Sequence, residues 1–179
     1  SMIQRRKEIE EKRSLTESEE RIFEAVMLDV GVGIDGGTVF YGNIGSNEHM
    51  ANTVIGDNVN SASRLEGLTR VYHLPVIVSS YIKDEVEKEN SRFKFYEIDT
   101  VQVKGKTEGK KIFFPLDTED ADRLPDEKYE MFETGLEAYY NGEWSKARKS
   151  FKACELEMAQ VFLERMGNKS APADWCGIS

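Results

Sequence analysis

The spacing of apolar residues predicts a long helix near the middle of the chain. A β-branched run at 53–55 leads to Gly56, and the segment that follows repeats apolar residues at helical intervals over about 57–72. Asp57 stands where a side chain can accept hydrogen bonds from the first free amide groups, and it is the predicted N-cap. The predicted buried face of this helix consists of Val59, Ala62, Leu65, Leu68 and Val71.

Runs rich in β-branched and aromatic residues predict the strands of a sheet. Two such runs, 29–35 and 38–45, are separated by Gly36-Gly37, which predicts a hairpin, and 46–52 is then a polar loop. A helix is predicted from Ser79 or Ser80 to about Lys88. Further strands are predicted at 75–78, 93–98, 101–106 and 111–116, the last of them at a sheet edge. Strands alternating with single helices predict an α+β or α/β sandwich.

The two ends of the chain differ from this central part. Residues 3–28 are charged and predict two helices, at 4–13 and 16–27. The first is polar on nearly all sides, which is typical of a helix whose packing partners are missing. After Leu116 the composition becomes acidic. The predicted organisation is a remnant of cloning at 1–2, a domain at 3–116, an acidic linker at 117–126 and a helical tail at 127–179. Within that tail the predicted helices are 127–142 and 144–166.

Composition narrows the classes of function. The chain has 179 residues, a net charge of -9 and 39% hydrophobic residues, which is enough for a core and disfavours nucleic acid or an anionic membrane as the main partner. Its two cysteines are too few for a disulfide framework and indicate a reducing, cytoplasmic setting. No apolar run approaches the ~20 residues of a membrane span. Because Ser1-Met2 resembles a cloning scar, we expect a fragment of a longer protein, which could be membrane-anchored.

Two polar residues on the central helix are candidates for ligand binding. Asn60 and Arg64 are four residues apart, so their side chains leave the same face one turn apart. An amide and a guanidinium together suit an electron-rich ligand, although on spacing alone a solvated helix face is the commoner explanation. Glycines 31, 33 and 42 inside predicted strands indicate either close approach of a backbone or ligand, or a bulged and twisted sheet.

Several motifs, in order and over about 75 residues, resemble the second half of a class III adenylate/guanylate cyclase catalytic domain. They are Gly-Val-Gly-Ile-Asp-Gly-Gly at 31–37, Gly-Asn-Ile-Gly-Ser at 42–46, Thr-Val-Ile-Gly-Asp-Asn-Val-Asn-Ser-Ala-Ser-Arg at 53–64, Leu-Glu-Gly-Leu at 65–68 and Val-Lys-Gly-Lys at 103–106. The resemblance implies a partial ferredoxin-like cyclase sandwich over 3–116, an incomplete sheet with helices.

The resemblance also implies roles for individual residues. Asn60 would orient the ribose of ATP, and Arg64 would stabilise the charge that develops at the α-phosphate. Thr53 lies where the family reads the purine, and a threonine there resembles adenylate rather than guanylate cyclases. Lys104 or Lys106, with a slight preference for Lys104, would bind the terminal phosphates. The alternative for these two lysines is a pair of solvated side chains at a hairpin.

The family's two metal-binding aspartates lie in the first half of its domain, and residues 1–30 match neither motif. Asp29 and Asp35 do not fit those positions, and the purine-reading lysine of the family is missing too. The resemblance therefore implies Mg or Mn in the parent enzyme with ligands outside this fragment. We expect the fragment alone to be inactive, because phosphoryl chemistry on ATP depends on metal ions. His49 and His73 are expected to be surface residues.

The tail has a resemblance of its own. Its small and aromatic residues keep the spacing of one tetratricopeptide-like helical hairpin, and its Pro-Ala-Asp-Trp-Cys-Gly ending at 172–177 resembles tails of some bacterial cyclases. The matching residues are Gly135, Ala138, Gly142, Trp144, Ala147, Phe151 and Cys154. A single hairpin cannot bury its own face, so we expect it to dock on the cyclase part, on a protein partner, or on both. Cys154 is predicted to be buried, and Cys176 exposed.

Two functions remain open from the sequence. One is the C-terminal part of an adenylate cyclase that converts ATP to cyclic AMP and pyrophosphate in intracellular signalling. The other is a non-catalytic nucleotide-binding or protein-interaction module built from a degenerate cyclase half and a helical repeat. Because the predicted fragment leaves a sheet edge and an apolar helix face without partners, we also expect a homodimer or an exchanged dimer.

Overall fold

The computed structural model of the chain describes residues 30–46, 49–89, 92–102, 109–121 and 126–178. The helices predicted within 3–28 and the predicted phosphate-binding residues Lys104 and Lys106 lie outside these ranges. Residues 31–179 form one compact unit. The mixed α+β organisation predicted from the sequence is confirmed.

The strands form one sheet of four strands and one separate hairpin. In the sheet the order is β1, β4, β6, β5, with β1 and β4 parallel and β6 antiparallel to both of its neighbours. The hairpin consists of antiparallel β2 and β3. The strands are β1 Val32–Ile34, β2 Phe40–Ser46, β3 His49–Ile55, β4 Val76–Ser79, β5 Phe93–Gln102 and β6 Gly109–Asp117.

The helices divide into those of the sheet region and those of the C-terminal region. They are α1 Asp57–Tyr72, α2 Ser80–Lys88, α3 Thr118–Ala121, α4 Asp126–Tyr140, α5 Trp144–Cys154 and α6 Ala159–Met166. Within the described ranges, none of these helices has the length and apolarity needed to cross a membrane.

Helix α1 packs very closely on strand β1, and glycine makes this possible. A Cβ atom on Gly33 would lie 2.2 Å from the backbone nitrogen of Glu66 and 2.3 Å from the carbonyl oxygen of Ala62. A side chain at this position is therefore excluded by the backbone of α1. Of the two explanations offered by the sequence for the strand glycines, close backbone approach is the one that applies to Gly33.

The predicted cap and part of the predicted buried face of α1 were wrong. Gly56 is the N-cap residue, no side chain caps the helix, and Asp57 instead lies in the first turn, where its charge complements the helix dipole. The residues buried along α1 are Leu65, Thr69 and Tyr72, whereas Val59 and Val71 are exposed. The buried stripe is displaced because β1 contacts α1 along the side that carries Thr69.

The predicted hairpin across Gly36-Gly37 was also wrong. Strand β1 pairs in parallel with β4, and β2 pairs with β3 from Phe40 opposite Ile55 to Ser46 opposite His49. Part of the predicted polar loop at 46–52 is therefore strand. A Gly-Gly turn reverses the chain but does not determine which strands pair, and the partner of β1 lies beyond α1 in sequence.

Three further boundaries differ from the predictions. The runs predicted as separate strands near 93–98 and 101–106 form one strand up to Gln102, with a β-bulge between Glu97 and Asp99. Strand β6 lies inside the sheet, and β5 is at the edge. The predicted helix 144–166 is two helices, because Glu155 adopts a left-handed conformation with a φ of 53° that ends α5.

The helical region, residues 126–178, packs on the sheet through a shared hydrophobic core. The rings of Tyr96 in β5 and Tyr129 in α4 have centroids 4.1 Å apart, and those of Tyr72 and Phe162 are 6.3 Å apart. The expected docking of the tail on the rest of the chain is therefore observed. Cys154 is buried and Cys176 is exposed, as predicted.

Candidate functional site

A cavity of about 690 Å³ lies between α1, the ends of β5 and β6, and α6. Its wall is apolar where Leu65, Leu68, Val101 and Ile112 contribute to it. Its polar lining residues include Asn60, Arg64, Ser79, Lys110 and Arg165. Three cationic side chains therefore surround an apolar surface, an arrangement that suits an anion with an attached apolar ring.

Asn60 and Arg64 line this cavity together, one turn apart on the exposed side of α1. Arg64 donates from Nη2 to the carbonyl oxygen of Gln102 at 3.4 Å, which is a long hydrogen bond. A guanidinium has five N–H donors, so most of its hydrogen-bonding capacity remains available to a ligand. The helix thus presents an amide and a fixed positive charge to the same space.

Below the cavity, the carboxylate of Asp35 joins several elements. Its side chain is 1% exposed, accepts a hydrogen bond from the N–H of Gly36 at 2.9 Å, and lies 3.5 Å from Nζ of Lys110. Burial alone would raise the pKa of Asp35, but hydrogen bonds from Ser61, Ser79 and Gly36 and the charge of Lys110 together lower it. Asp35 therefore stays ionised and fixes the floor of the cavity.

Ser79, which also lines the cavity, makes two structural contacts. Its hydroxyl is the N-cap of α2 and accepts a hydrogen bond from the N–H of Ile82 at 3.4 Å, while it also hydrogen-bonds to Asp35. The predicted start and end of this helix are confirmed. The same residue thus positions α2 and one side of the cavity.

The described residues do not fit a Mg²⁺ or Mn²⁺ centre. Within the ranges that the structure describes, no three or more His, Cys, Asp or Glu side chains converge in a way that could hold a metal ion. Asp57 lines the cavity, but the carboxylate of Asp35 is already engaged by Lys110 and by hydrogen-bond donors. Asp35 is therefore a structural anion beneath the cavity, and no catalytic step through a metal follows from these residues.

Arg165 is a cavity residue that sequence reasoning missed. It comes from α6, far along the chain, and its guanidinium donates to Oδ2 of Asp99 at 2.5 Å and to the hydroxyl of Tyr72 at 2.8 Å. Tyr72 in turn donates to Oδ2 of Asp99 at 2.6 Å. We call these three residues the Asp99 cluster. No local motif marks them, because they are brought together only by tertiary packing.

The remaining predicted site residues lie elsewhere. Thr53 is half-buried in β3 opposite Gly42 and is not one of the residues described as lining the cavity. Lys104 and Lys106 lie outside the described residues. The structure therefore brings Asn60 and Arg64 together at the cavity, and among the described residues Thr53 does not line it.

Comparison with known proteins matches this chain to adenylate and guanylate cyclases. Residues 1–117 match the family model of the adenylate and guanylate cyclase catalytic domain. The chain is 29% identical over 129 residues to the terminal-differentiation specific adenylate cyclase of Dictyostelium discoideum, a match that covers 71% of the chain and 6% of that protein. It is 40% identical over 87 residues to an adenylate cyclase of Anabaena cylindrica, with 48% of the chain and 17% of that protein covered.

A solved structure of a bacterial light-regulated adenylyl cyclase is 31% identical, with a TM-score of 0.41 over 47% of this chain and 22% of that one. The matched stretches thus span only a small part of the relatives' own lengths. The family model covers well over half of the chain, including α1 with Asn60 and Arg64. The chain therefore belongs to the adenylate and guanylate cyclase catalytic domain family.

Proposed function

We propose that this chain supplies one half of the nucleotide site of an adenylate cyclase, which converts ATP to cyclic AMP and pyrophosphate in the cytoplasm. The observation that carries the proposal is the pairing of Asn60 and Arg64 on one exposed face of α1, at the wall of a cavity large enough for part of a nucleotide. The guanidinium of Arg64 supports binding of an anionic ligand, and the apolar wall supports binding of an attached ring.

In the proposed reaction the 3′-oxygen of the ribose attacks the α-phosphorus. The bond from that phosphorus to the oxygen bridging to the β-phosphate breaks, pyrophosphate leaves with the electron pair, and the proton of the 3′-hydroxyl passes to water. Asn60 would hold the ribose so that the 3′-oxygen faces the phosphorus. Arg64 would stabilise the negative charge that grows on the α-phosphate oxygens, because a preorganised donor lowers the energy of the transition state.

Three further residues have roles in the proposed site. Thr53 would read the adenine, and Lys104 or Lys106 would bind the terminal phosphates. We expect Thr53→Ala to reduce the preference for ATP over GTP, measured as the ratio of kcat/KM for the two nucleotides. An unchanged ratio would remove Thr53 from the proposal without affecting Asn60 and Arg64.

We propose that Mg²⁺ or Mn²⁺ serves the enzyme through carboxylates that the described residues do not supply. When bound, such ions neutralise the phosphates and activate the attacking oxygen. The 179-residue chain alone should therefore form no cyclic AMP from Mg-ATP or Mn-ATP. Turnover by the isolated chain would contradict this part of the proposal.

We propose that two protomers complete the site and that the β2–β3 hairpin forms part of the interface. Phe40 is 80% exposed and Tyr41 is 73% exposed, and further apolar side chains of the same hairpin are also exposed. Large exposed apolar side chains on both faces of a hairpin are typical of a segment that a partner covers. We further propose that α4 and α5 form a tetratricopeptide-like hairpin, supported by Gly135, where a Cβ would lie 2.8 Å from the ring of Phe151.

The central experiment measures cyclic AMP formation by the protein expressed at its full natural length. We expect Arg64→Ala to lower kcat roughly 100- to 1000-fold, because it removes a charge stabilising the transition state, and Asn60→Ala to lower it less. Arg70→Ala is the matched control. Arg70 is an exposed arginine of the same helix that pairs with Glu66 at 2.8 Å and does not line the cavity.

Equal rates for wild type, Asn60→Ala and Arg64→Ala would contradict the proposed mechanism. Nucleotide binding without any turnover at full length would instead favour the alternative function, a non-catalytic nucleotide-binding module. A drop in activity for Arg70→Ala as large as that for Arg64→Ala would mean that general helix stability, and not the cavity, explains the effect.

A further inference from the structure

The Asp99 cluster is a buried ionic contact between three distant parts of the chain. The carboxylate of Asp99 is fully buried, and it accepts hydrogen bonds from Tyr72, from Arg165 and, through Oδ1, from the N–H of Thr100 at 2.7 Å. Tyr72 belongs to the last turn of α1, Asp99 to β5 and Arg165 to α6. Helix α1 is thus connected by hydrogen bonds to both the sheet and the helical region.

The bulge in β5 makes this contact possible. The register shifts between Glu97 and Asp99, so Asp99 lies opposite Ile112 of β6 while Glu97 lies opposite Phe113. A bulge re-aims the side chains that follow it. Asp99 consequently faces the interior, where a carboxylate is tolerated only with a positively charged, hydrogen-bonded partner. Arg165 is the cationic partner that the structure gives it.

The guanidinium of Arg165 also lies close to two aromatic rings. It lies 5.7 Å from the ring centroid of Tyr72 and 5.3 Å from that of Phe162. Burial alone would lower the pKa of Arg165, but Tyr72 and Asp99 raise it, so the side chain remains charged. With its carboxylate partner and two aromatic faces, the guanidinium is held in one orientation.

Arg165 is only partly enclosed by these contacts. Its side chain is 30% exposed, and it lines the same cavity as Asn60 and Arg64. The nearby Leu65 and Leu68 of α1 line that cavity too. One residue of the helical region therefore forms part of the cavity wall and, through Tyr72, holds the end of the helix on which the two predicted catalytic residues lie.

We infer that the helical region contributes to the nucleotide half-site through Arg165. This arginine is a positioning residue, which fixes α1 relative to the cavity. This inference rests on the proposed nucleotide function of Asn60 and Arg64. In it, docking of α6 sets the orientation in which α1 presents those two residues. Loss of Arg165 weakens nucleotide binding and lowers turnover without removing a group that touches the reacting atoms.

The first test needs no nucleotide. Hydrogen exchange of the 179-residue chain is compared for wild type, Arg165→Met and Arg148→Met. Arg148 is the matched control, because this arginine of α5 donates to the carbonyl oxygens of Lys169 and Gly167 and stays within the helical region. We expect Arg165→Met to speed exchange at least tenfold over 68–72 of α1 and near Asp99, and Arg148→Met to leave α1 unchanged.

The second test uses the protein at full natural length with ATP. We expect Arg165→Met to raise KM about tenfold and to lower kcat by a smaller factor, with Arg165→Lys intermediate, since lysine keeps the charge but cannot bridge Asp99 and Tyr72 in the same way. If Arg165→Met does not fold, Tyr72→Phe provides a milder variant that removes one hydroxyl and keeps the ring, with a smaller change in the same direction.

The outcomes separate this inference from the function on which it rests. Equal changes in KM and in α1 exchange for Arg165→Met and Arg148→Met would overturn the positioning role. Unchanged exchange of α1 in Arg165→Met would do the same. If Arg64→Ala has no effect on turnover, the proposed function fails instead, and the exchange experiment still decides whether Arg165 couples the helical region to α1.

Discussion

The β2–β3 hairpin and the helical region both carry many apolar side chains, but these side chains are exposed in the hairpin and buried in the helical region. In the helical region Phe132, Phe151 and Phe162 are buried and their rings contact one another. In the hairpin Phe40 and Tyr41 point largely into solvent. The first region finds its partners within the chain, whereas the second presents a surface that the described residues do not cover.

This difference separates residues that stabilise the fold from residues available for association. A buried aromatic contributes to the free energy of unfolding, while an exposed one contributes to it only when a partner covers it. The two regions should therefore respond differently to the same kind of substitution, and the difference can be measured.

The largest effect is expected from Phe162→Ala in the helical region. Phe162 is fully buried, and its ring centroid lies 4.7 Å from that of Phe151 and 5.0 Å from that of Tyr139. Removing it should lower the free energy of unfolding by about 3–5 kcal/mol, from lost burial and the cavity left behind. Urea unfolding followed by circular dichroism measures this. Phe40→Ala is the control, and a comparable loss there would contradict the contrast between the two regions.

A somewhat smaller loss is expected when the ionic link between the regions is broken. Asp99→Asn leaves the partly buried Arg165 guanidinium without its carboxylate, which should cost about 2–3 kcal/mol. The same urea titration measures the change, and Asp174→Asn, at an exposed position of the C-terminal segment, is the control. Equal stability of wild type and Asp99→Asn would mean that the ion pair contributes nothing net to docking.

Asp35→Asn should destabilise the sheet region in a pH-dependent way. The pKa of Asp35 is lowered below its usual 3.8, so ionised Asp35 stabilises the fold above that pH, and this contribution is lost as the pH drops through the lowered value. We expect wild type to exceed the variant by about 1–2 kcal/mol between pH 5 and 7 and this difference to shrink below about pH 4. A difference that grows on acidification would contradict the assignment.

A loss of about 1 kcal/mol is expected from Trp175→Phe in the C-terminal segment. The indole Nε1 donates to the carbonyl oxygen of Tyr139 at 2.9 Å, and the ring packs edge-on against Trp144. Phenylalanine keeps much of the packing but not the hydrogen bond, so the loss should be that of one hydrogen bond. Thermal unfolding followed by calorimetry can detect a loss of this size. An unchanged unfolding midpoint would mean that this hydrogen bond does not contribute to stability.

The smallest effect on stability, but a clear one on assembly, is expected from replacing both Phe40 and Tyr41 with serine. Their exposure means that the free energy of unfolding of the monomer should change by less than about 0.5 kcal/mol. If the hairpin forms the proposed dimer interface, light scattering should show a shift from dimer to monomer. A wild-type chain that is monomeric at every concentration tested would contradict the proposed dimer.

Local signals in the sequence predicted local structure well. The cap at Ser79 and the extent of α1 follow from neighbouring residues. The glycine at position 33 left two explanations open, and only the packing of α1 on β1 decides between them. The pairing of β1 with β4 could not be predicted in this way, because the turn at Gly36-Gly37 carries no information about a strand beyond α1. The split between α5 and α6 was missed because Glu155 is an unusual residue for a left-handed helix end.

Only those residues of the candidate site that lie on the same helix could be predicted together from the sequence. Asn60 and Arg64 share a helix, so their spacing was sufficient to place them together. Lys110 and Arg165 enter the same cavity from β6 and α6, and nothing near them in sequence marks them as cavity residues. In the sequence alone, Asp99 resembles any exposed polar residue of a strand, and only the bulge places it in the interior.

The Asp99 cluster also constrains the order in which the chain can fold during synthesis. Asp99 follows Tyr72 by 27 residues, but its cationic partner Arg165 is made 66 residues later. Until α6 leaves the ribosome, burying Asp99 would leave an ion without a counter-charge, so that edge of the sheet should remain hydrated. The sheet can then finish folding only after α6 has been synthesised and Arg165 can pair with Asp99. A nascent chain stalled before α6 should expose β5 to chaperones or proteases.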